Sequence, residues 1–322
     1  MGDGTSTHVR VRVPGKVNLF LSVRGLRQDG YHEIASVLQT VSIHDTILAR
    51  LDGKAVSAHP AARRFMDLAF TVDGVLDGAV PVDGHNLAVR AARALMVECG
   101  VGTAEHADTQ EVPVTRLHLT KRIPVAAGMA GGSADAAGAL VALNQLWQSD
   151  LDREELRDIG GALGADVPFC VTGGTALATG IGATTAQVLT RGMYHWVVGI
   201  SASALSTPDV YRAFDELAVP SDVEPDAVLQ ALRTGDAEAL GAALHNDLEA
   251  AAVRLLPELA DHKQTMLDAG ALGAMVSGSG PTMVALAGSA QEATAIAERV
   301  APSFARVEVA FSPAGGPELA RR

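Results

Sequence analysis

Between residues 124 and 133 the chain reads Pro-Val-Ala-Ala-Gly-Met-Ala-Gly-Gly-Ser, and few architectures tolerate such a run at that place. Ahead of it, Thr115–Thr120 alternates apolar and polar residues at the period of a strand. Behind it, Ala134–Trp147 is a helical stretch rich in Ala and Leu. A strand must therefore pass directly into a helix through backbone almost bare of side chains. Such a loop exposes its N–H groups to an anion and adds the positive end of the helix. Ser133 then stands where a hydroxyl can meet a phosphate oxygen or the Mg²⁺ that accompanies ATP. No Lys follows the glycines, so this is not a Walker A loop, and G-x-G-x-x-G is missing too. The plainer alternative is a tight strand-to-helix connection with Ser133 as its N-cap.

Other elements can be read around this run. Val9, Val11 and Val13 alternate with arginines, Pro14–Gly15 marks a turn, and Val17–Val23 resumes as a strand. A further strand-like stretch runs through Ile34–Ile43. Asn86 caps a helix that ends near Gly100, and Asp152 with Glu155 forms a capping box for another. That second helix should end near Gly164, with Val167–Pro168 forcing extended backbone after it. From Thr207 to Ala269 the pattern is helical, with Asn246 and Glu249 as a capping pair. Strands at Ala274–Gly280, Thr282–Leu286 and Val307–Phe311 and a helix at Ala290–Val300 complete the chain. Strands and helices mix without regular βαβ alternation, so the expected class is α+β. A boundary in Gly180–Arg191 gives two domains, 1–180 and 181–322, with the last strand free to return to the first.

Composition limits the partners. A formal net charge of −12 over 322 residues argues against broad nucleic-acid binding. Cys99 and Cys170 form no C-x-x-C pair, so neither a disulfide framework nor a zinc ribbon is expected. No apolar run approaches membrane-spanning length. The expectation is a cytoplasmic protein, monomer or homodimer, that uses neither nucleic acid nor membrane. If its ligands are anionic, local devices must bind them, and Lys16, Arg24, Arg27, Lys121 and Arg122 all flank the candidate motifs.

Three more segments can carry chemistry. In Leu163-Gly-Ala-Asp-Val-Pro-Phe169, Asp166 follows a helix end and can accept a proton, or simply serve as a turn residue. In Pro14-Gly-Lys-Val-Asn-Leu-Phe20, Lys16 is one of four lysines against twenty-one arginines, and it enters an apolar strand where it needs a partner or a route to water. In Arg27-Gln-Asp-Gly-Tyr-His-Glu33, a turn at Asp29–Gly30 presents Tyr31 and His32, which can stack on a nucleobase or anchor the loop. Ser36 occupies the second His position of H-E-x-x-H, which removes a zinc-protease reading. Val276–Thr282 is a glycine-rich link between strands.

In this order the segments resemble the GHMP superfamily of small-molecule kinases. Pro14–Phe20 with Asp29–His32 resembles P-x-K-x-N-L-x-L followed by D-G-Y-H, in the branch whose substrate is cytidine diphosphate methylerythritol. Ile123–Ala136 resembles the phosphate loop, Leu163–Pro168 the L-G-A-D-V-P segment, and Ser277–Pro281 the third, glycine-rich motif. The resemblance implies an ATP-binding domain of the ribosomal S5 domain 2-like kind plus a smaller α+β substrate domain. It implies catalytic roles for Asp166 and Lys16, and ATP with Mg²⁺ held by Asn86, Pro124, Ala127, Gly128, Met129, Ala130, Gly131, Gly132 and Ser133, the metal at Ser133. It implies a small-molecule substrate held by Asn18, Tyr31, His32, Thr207 and Tyr211. Ala134 stands where Ser is common, and Ala49–Asp83 matches no part of the pattern. Another GHMP kinase, or a nucleotide sensor without turnover, are the competing readings.

Overall fold

The computed structural model describes residues 8–52, 65–75, 79–100, 102–103, 114–217 and 222–320. The polar residues 1–7, and residues 53–64 and 76–78 within the unassigned stretch, lie outside them. The chain opens with two long strands, β1 (His8–Leu26) and β2 (His32–Asp52), paired antiparallel, followed by β3 (Phe65–Gly74). Helix α1 (Leu87–Glu98), β4 (Gly102–Thr103) and β5 (Val114–Lys121) come next. Then follow α2 (Gly131–Trp147), α3 (Arg153–Gly161), α4 (Val167–Thr172) and the hairpin β6 (Thr175–Gly180) and β7 (Thr184–Gln187). The remainder is β8 (Tyr194–Ile200), α5 (Thr207–Leu217), α6 (Asp226–Thr234), α7 (Ala237–Ala243), β9 (His245–Asn246), α8 (Glu249–Leu255), α9 (Glu258–Asp268), β10 (Gly273–Val276), β11 (Met283–Ala287), α10 (Ala290–Val300), β12 (Arg306–Ser312) and β13 (Glu318–Leu319).

Two sheets organise these elements. The larger has the order β13-β1-β2-β5-β3-β4, with β6 and β7 joined through β2 and β9 through β1; the smaller is β10-β11-β8-β12. The crossover between sheets falls after β7, and β13 returns to pair with β1. β3 runs parallel to β5 and begins within the stretch to which the sequence pattern assigns nothing.

β1 is continuous through Pro14–Gly15, where the sequence suggested a turn. The register slips there: Pro14 lies opposite His44 and Lys16 opposite Thr40, so β2 carries the extra residues. Such a bulge redirects the following side chains, and proline's missing N–H is tolerated at it. Before it, exposed Arg10 and Arg12 alternate with buried valines; from Val13 to Val23 every residue is buried. α2 covers this part of the sheet closely. A Cβ on Gly138 would come within 3.0 Å of both Val13 and Ile47, so the small face of α2 seats the helix on the strands. Trp147 Nε1 donates to Thr115 Oγ1 at 3.1 Å and fixes the far end.

The two sheets are joined by a buried polar chain. Trp196 Nε1 donates to Ser312 Oγ at 2.7 Å, Ser312 Oγ to Gln39 Oε1 at 2.5 Å, and Gln39 Nε2 to Thr175 Oγ1 at 2.8 Å. Every member is satisfied, which such a network needs in order to specify a packing.

Two further local expectations change. Val167–Pro168 is not extended: Asp166 is helical at φ −80°, ψ −14°, and Pro168 sits in the first turn of α4, where its lost N–H costs nothing. Asn246 and Glu249 do not cap one helix reciprocally. α8 starts after Leu248, and Glu249 instead accepts from Val276 N at 3.0 Å and pairs with Lys263. The caps at Asn86 and at Asp152/Glu155 form as expected.

Candidate active site

The bulge brings Lys16 and Asn18 inside. Lys16 Nζ donates to Asn18 Oδ1 at 2.8 Å and to Gly128 O at 3.1 Å, while Asn18 Nδ2 donates to Ser36 Oγ at 2.8 Å. Lys16 N also donates to Met129 O at 3.1 Å, so strand and loop are stitched together by main and side chain. Asp166 Oδ2 lies 3.7 Å from Lys16 Nζ, an ion pair longer than a hydrogen bond. The carboxylate makes no capping bond to α4, and its side chain is 33% exposed against 7% for Lys16. A carboxylate is thus held beside a buried ammonium with an oxygen facing open space. Cys170, buried behind the pair, has its thiol pushed up by burial and by the Asp166 charge.

Gly128 shows why the loop needs glycine. Its φ is +75°, and a Cβ there would sit 1.9 Å from Ser277 O. Ser277 Oγ in turn donates to Gly128 O at 3.3 Å, and Gly278 packs beside Asn18 Oδ1. The glycine-rich link before β11 is therefore part of the same site. Asn246 fixes it, donating to Val276 O at 2.7 Å and to Gly278 O at 2.8 Å.

The N-cap of α2 is Ala130, in the left-handed region at φ 54°, so Gly131, Gly132 and Ser133 form the first helical turn. Ser133 is not the N-cap; its hydroxyl takes no hydrogen bond among the described residues, and the N–H groups of this turn have no intrahelical acceptor. A cavity of about 170 Å³ opens beside them, lined by Asn86, Leu87, Pro124, Ala126, Gly131 and Gly132 among others. Ala127 and Met129 are buried beneath the loop. Asn86 Oδ1 accepts from Ala88 N and Nδ2 donates one of its two hydrogens to Pro81 O, which fixes the amide in this wall.

Lys121 is used differently from the sequence expectation of a ligand-facing cation. Its Nζ lies 2.5 Å from Asp45 Oδ2 and 2.8 Å from Asp135 Oδ2, almost wholly buried. Burial works against the ammonium, but the charges of Asp135 and Asp45 outweigh it and hold its pKa above the ordinary lysine value. Asp45 also accepts Arg122 N and Ile123 N. Burial and the Asp45 charge push Asp135 well above the usual carboxylate range. The triad ties the start of the loop to the first turns of α2, and no local pattern signals it. Arg24, Arg27 and Arg122 are likewise paired, with Glu224, with Asp29 and Glu33, and with Glu308.

A larger cavity of about 550 Å³ lies on the other side, lined by Leu26, Tyr31, His32, Ile181, Thr207 and Tyr211 among others. The turn before it is built locally: Gly30 has φ +82° and Tyr31 N donates to Asp29 Oδ1 at 3.2 Å, leaving Tyr31 63% exposed at the rim. Hydrogen bonds from Arg27 and Tyr31 N hold the Asp29 carboxyl below its usual range. Thr207 Oγ1 lies 2.8 Å from Ser279 Oγ, which docks the start of α5 on the glycine-rich link. Tyr211 joins the two halves of the site: burial and the Asp166 charge raise its phenol to about 12.

Comparison with known proteins places this geometry. The model of the GHMP kinases N terminal domain matches residues 86–174, and that of the GHMP kinases C terminal domain matches 228–306. A 4-diphosphocytidyl-2-C-methyl-D-erythritol kinase of Salinispora tropica is 45% identical over 95% of this chain and 90% of its own. One of Streptomyces coelicolor is 47% identical over 90% and 91%. A crystal structure of 4-(cytidine 5'-diphospho)-2C-methyl-D-erythritol kinase superposes with a TM-score of 0.74 at 33% identity, over 94% of this chain and 98% of that one. A homoserine kinase from Cytophaga hutchinsonii, at 20% identity and a TM-score of 0.74 over 99% of both chains, shares the fold. With its two-sheet α+β architecture, the chain belongs to the GHMP kinases and, within them, to the 4-diphosphocytidyl-2-C-methyl-D-erythritol kinase family.

Proposed function

We propose that this chain transfers the γ-phosphoryl group of ATP to the 2-hydroxyl of 4-diphosphocytidyl-2-C-methyl-D-erythritol, giving the 2-phosphate and ADP, as a cytoplasmic step of isoprenoid precursor synthesis. The observation that carries this reading is the meeting of Lys16, Asn18, Gly128 and Asp166 at the glycine loop, whose neighbouring residues line one cavity, with Tyr211 in the wall of the larger cavity close enough to feel the Asp166 charge. The phosphate chain would lie along Gly128–Ser133, with Asn86, Pro124, Ala127, Met129 and Ala130 shaping the nucleotide side. Tyr31, His32, Thr207 and Tyr211 would enclose the cytosine. Residues 1–180 are assigned as the nucleotide half and 181–322 as the substrate half, with β7, β9 and β13 of the second pairing within the larger sheet.

In the reaction the substrate hydroxyl oxygen bonds to the γ-phosphorus as the bond to the β,γ-bridging oxygen breaks. Asp166 takes the hydroxyl proton. The transition state is loose, so positioning and charge compensation dominate. Lys16, anchored to Asn18 and Gly128, keeps a positive charge beside the reacting oxygens and the base. Ser133, whose hydroxyl is uncommitted, would meet Mg²⁺ travelling with ATP, and the ion when bound offsets charge on the transferring group. Among the described residues there is no cluster of acidic, His or Cys side chains to hold a resident metal.

A coupled ADP-release assay tests the reading with the cytidine diphosphate substrate, free methylerythritol, homoserine and mevalonate. Turnover confined to the first is expected. Turnover of free methylerythritol at equal efficiency would remove the cytosine pocket, and turnover of none would leave a nucleotide sensor.

A further inference from the structure

One imidazole in the wall of the larger cavity is held from three positions on α5. Tyr211 stacks on the His32 ring with centroids 5.0 Å apart, and Phe214 meets it edge-on at 6.3 Å. Asp215 Oδ1 lies 2.7 Å from His32 Nε2. Residues 211, 214 and 215 share one helix face because they are three and four positions apart. The His32 side chain is 10% exposed and that of Asp215 50%. A ring clamped by stacking, by an edge contact and by a carboxylate has little freedom to flip.

That clamp decides more than orientation. An ionised carboxylate only accepts hydrogen bonds, so the proton of the neutral imidazole resides on Nε2 and Nδ1 is left as an acceptor. Among the described residues nothing donates to Nδ1, the atom is not fully buried, and the His32 residue lines the cavity. A bare acceptor in a binding wall favours a ligand that brings an N–H. A pyrimidine with an amino group at C4 brings one. A pyrimidine with a carbonyl there sets lone pair against lone pair. Sites built on such a group reject the mismatched analogue far more strongly than apolar pockets reject a change of size.

Granted the cytidine reading of this cavity, we propose that Asp215 sets the choice of cytidine over uridine substrates by imposing the Nε2-protonated tautomer on His32. Asp215 is a positioning residue: it acts through the imidazole and need not touch the base. Arg212 on the same helix is paired with Asp209 at 2.8 Å, which leaves the Asp215 carboxylate to His32.

Two measurements on the full-length protein test this. Nitrogen-15 NMR of the histidine rings, with His32 assigned through His32→Gln, reads the tautomer directly while cytidine and uridine 5′-monophosphates are titrated. Expected are a protonated Nε2 in the free protein, cytidine monophosphate bound at least roughly tenfold tighter than the uridine compound, and a ligand-dependent shift at Nδ1. Asp215→Asn, which keeps the shape but can either donate or accept, should mix the tautomers and shrink the preference by about tenfold; Asp215→Glu should restore part of it. In turnover, the variant's loss should appear mainly in KM for the cytidine substrate, with the uridine analogue gaining relative to it. A protonated Nδ1 in the wild type, or an unchanged nucleotide preference in Asp215→Asn, overturns the proposal even if the enzyme turns over as expected. Selective nucleotide binding with no turnover of the cytidine diphosphate alcohol would instead overturn the assigned reaction and leave the role of Asp215 standing. Equal binding of the two nucleotides by the wild type would overturn both.

Discussion

Two of the chain's lysines sit on opposite sides of the same glycine loop and have been given opposite surroundings. Lys121 lies between Asp45 and Asp135, buried, with the rest of Asp45 taken up by two backbone N–H groups. Lys16 is also buried, but its hydrogen bonds go to an amide oxygen and a backbone carbonyl, and its carboxylate neighbour stands 3.7 Å away and partly open. In the first arrangement two carboxylates bond the ammonium directly, at the edge of the smaller cavity. In the second a single carboxylate stands at ion-pair distance, one-third exposed. Buried charge is costly in both cases. At Lys121 that cost is offset by bonds that anchor the loop, and at Lys16 by bonds to an amide oxygen and a carbonyl beside a partly exposed carboxylate.

Substitutions should separate these two roles. Asp166→Asn is expected to lower turnover by ~10²–10⁴, the usual worth of a general base, with an unchanged melting curve; near-normal turnover would remove Asp166 from the chemistry. Lys121→Met leaves two buried carboxylates without their cation and should cost roughly 3–5 kcal/mol in denaturant unfolding. A variant of wild-type stability would show that the triad does not anchor the loop. Lys16→Met should reverse that pattern, losing about 10²–10³ in kcat while unfolding close to the wild type; equal stability losses in the two lysine variants would erase the distinction.

The smallest effect concerns Tyr211, whose phenol is raised to about 12 by burial and by Asp166. The folded chain keeps this proton while the unfolded chain releases it near pH 10, so stability contributed here is intact below pH 10 and falls as pH rises toward 12. Tyr211→Phe should flatten that part of the alkaline unfolding profile. An unchanged profile would mean that neither burial nor the Asp166 charge raises the phenol.

Much of this was visible in the residues. The bare run before an apolar helix marked a tight strand-to-helix loop, Asn86 and Asp152/Glu155 marked helix starts, and Asp29–Gly30 marked the turn that presents Tyr31. These signals are local, carried by backbone preferences and by side chains that bond within a few positions. Where a second part of the chain intervened, local reading failed. Pro14–Gly15 looks like a turn until β2 supplies the extra residues of a bulge, and Val167–Pro168 looks extended until Asp166 adopts helical angles ahead of α4. Asn246 looks like a cap, yet its amide spans to Val276 and Gly278.

The sequence by itself determined the element types, the two-part α+β plan and the residues rich in chemistry. Only the tertiary structure decided which of them meet. The pairing of Lys16 with Asp166 is implied by the family resemblance, but no local pattern encodes it; like that of His32 with Asp215, it is made by strand register and helix packing over more than a hundred positions. For the same reason the difference between the two lysines lay outside the reach of composition: it depends on whether the nearest carboxylates arrive as a pair or singly, and distant segments decide that.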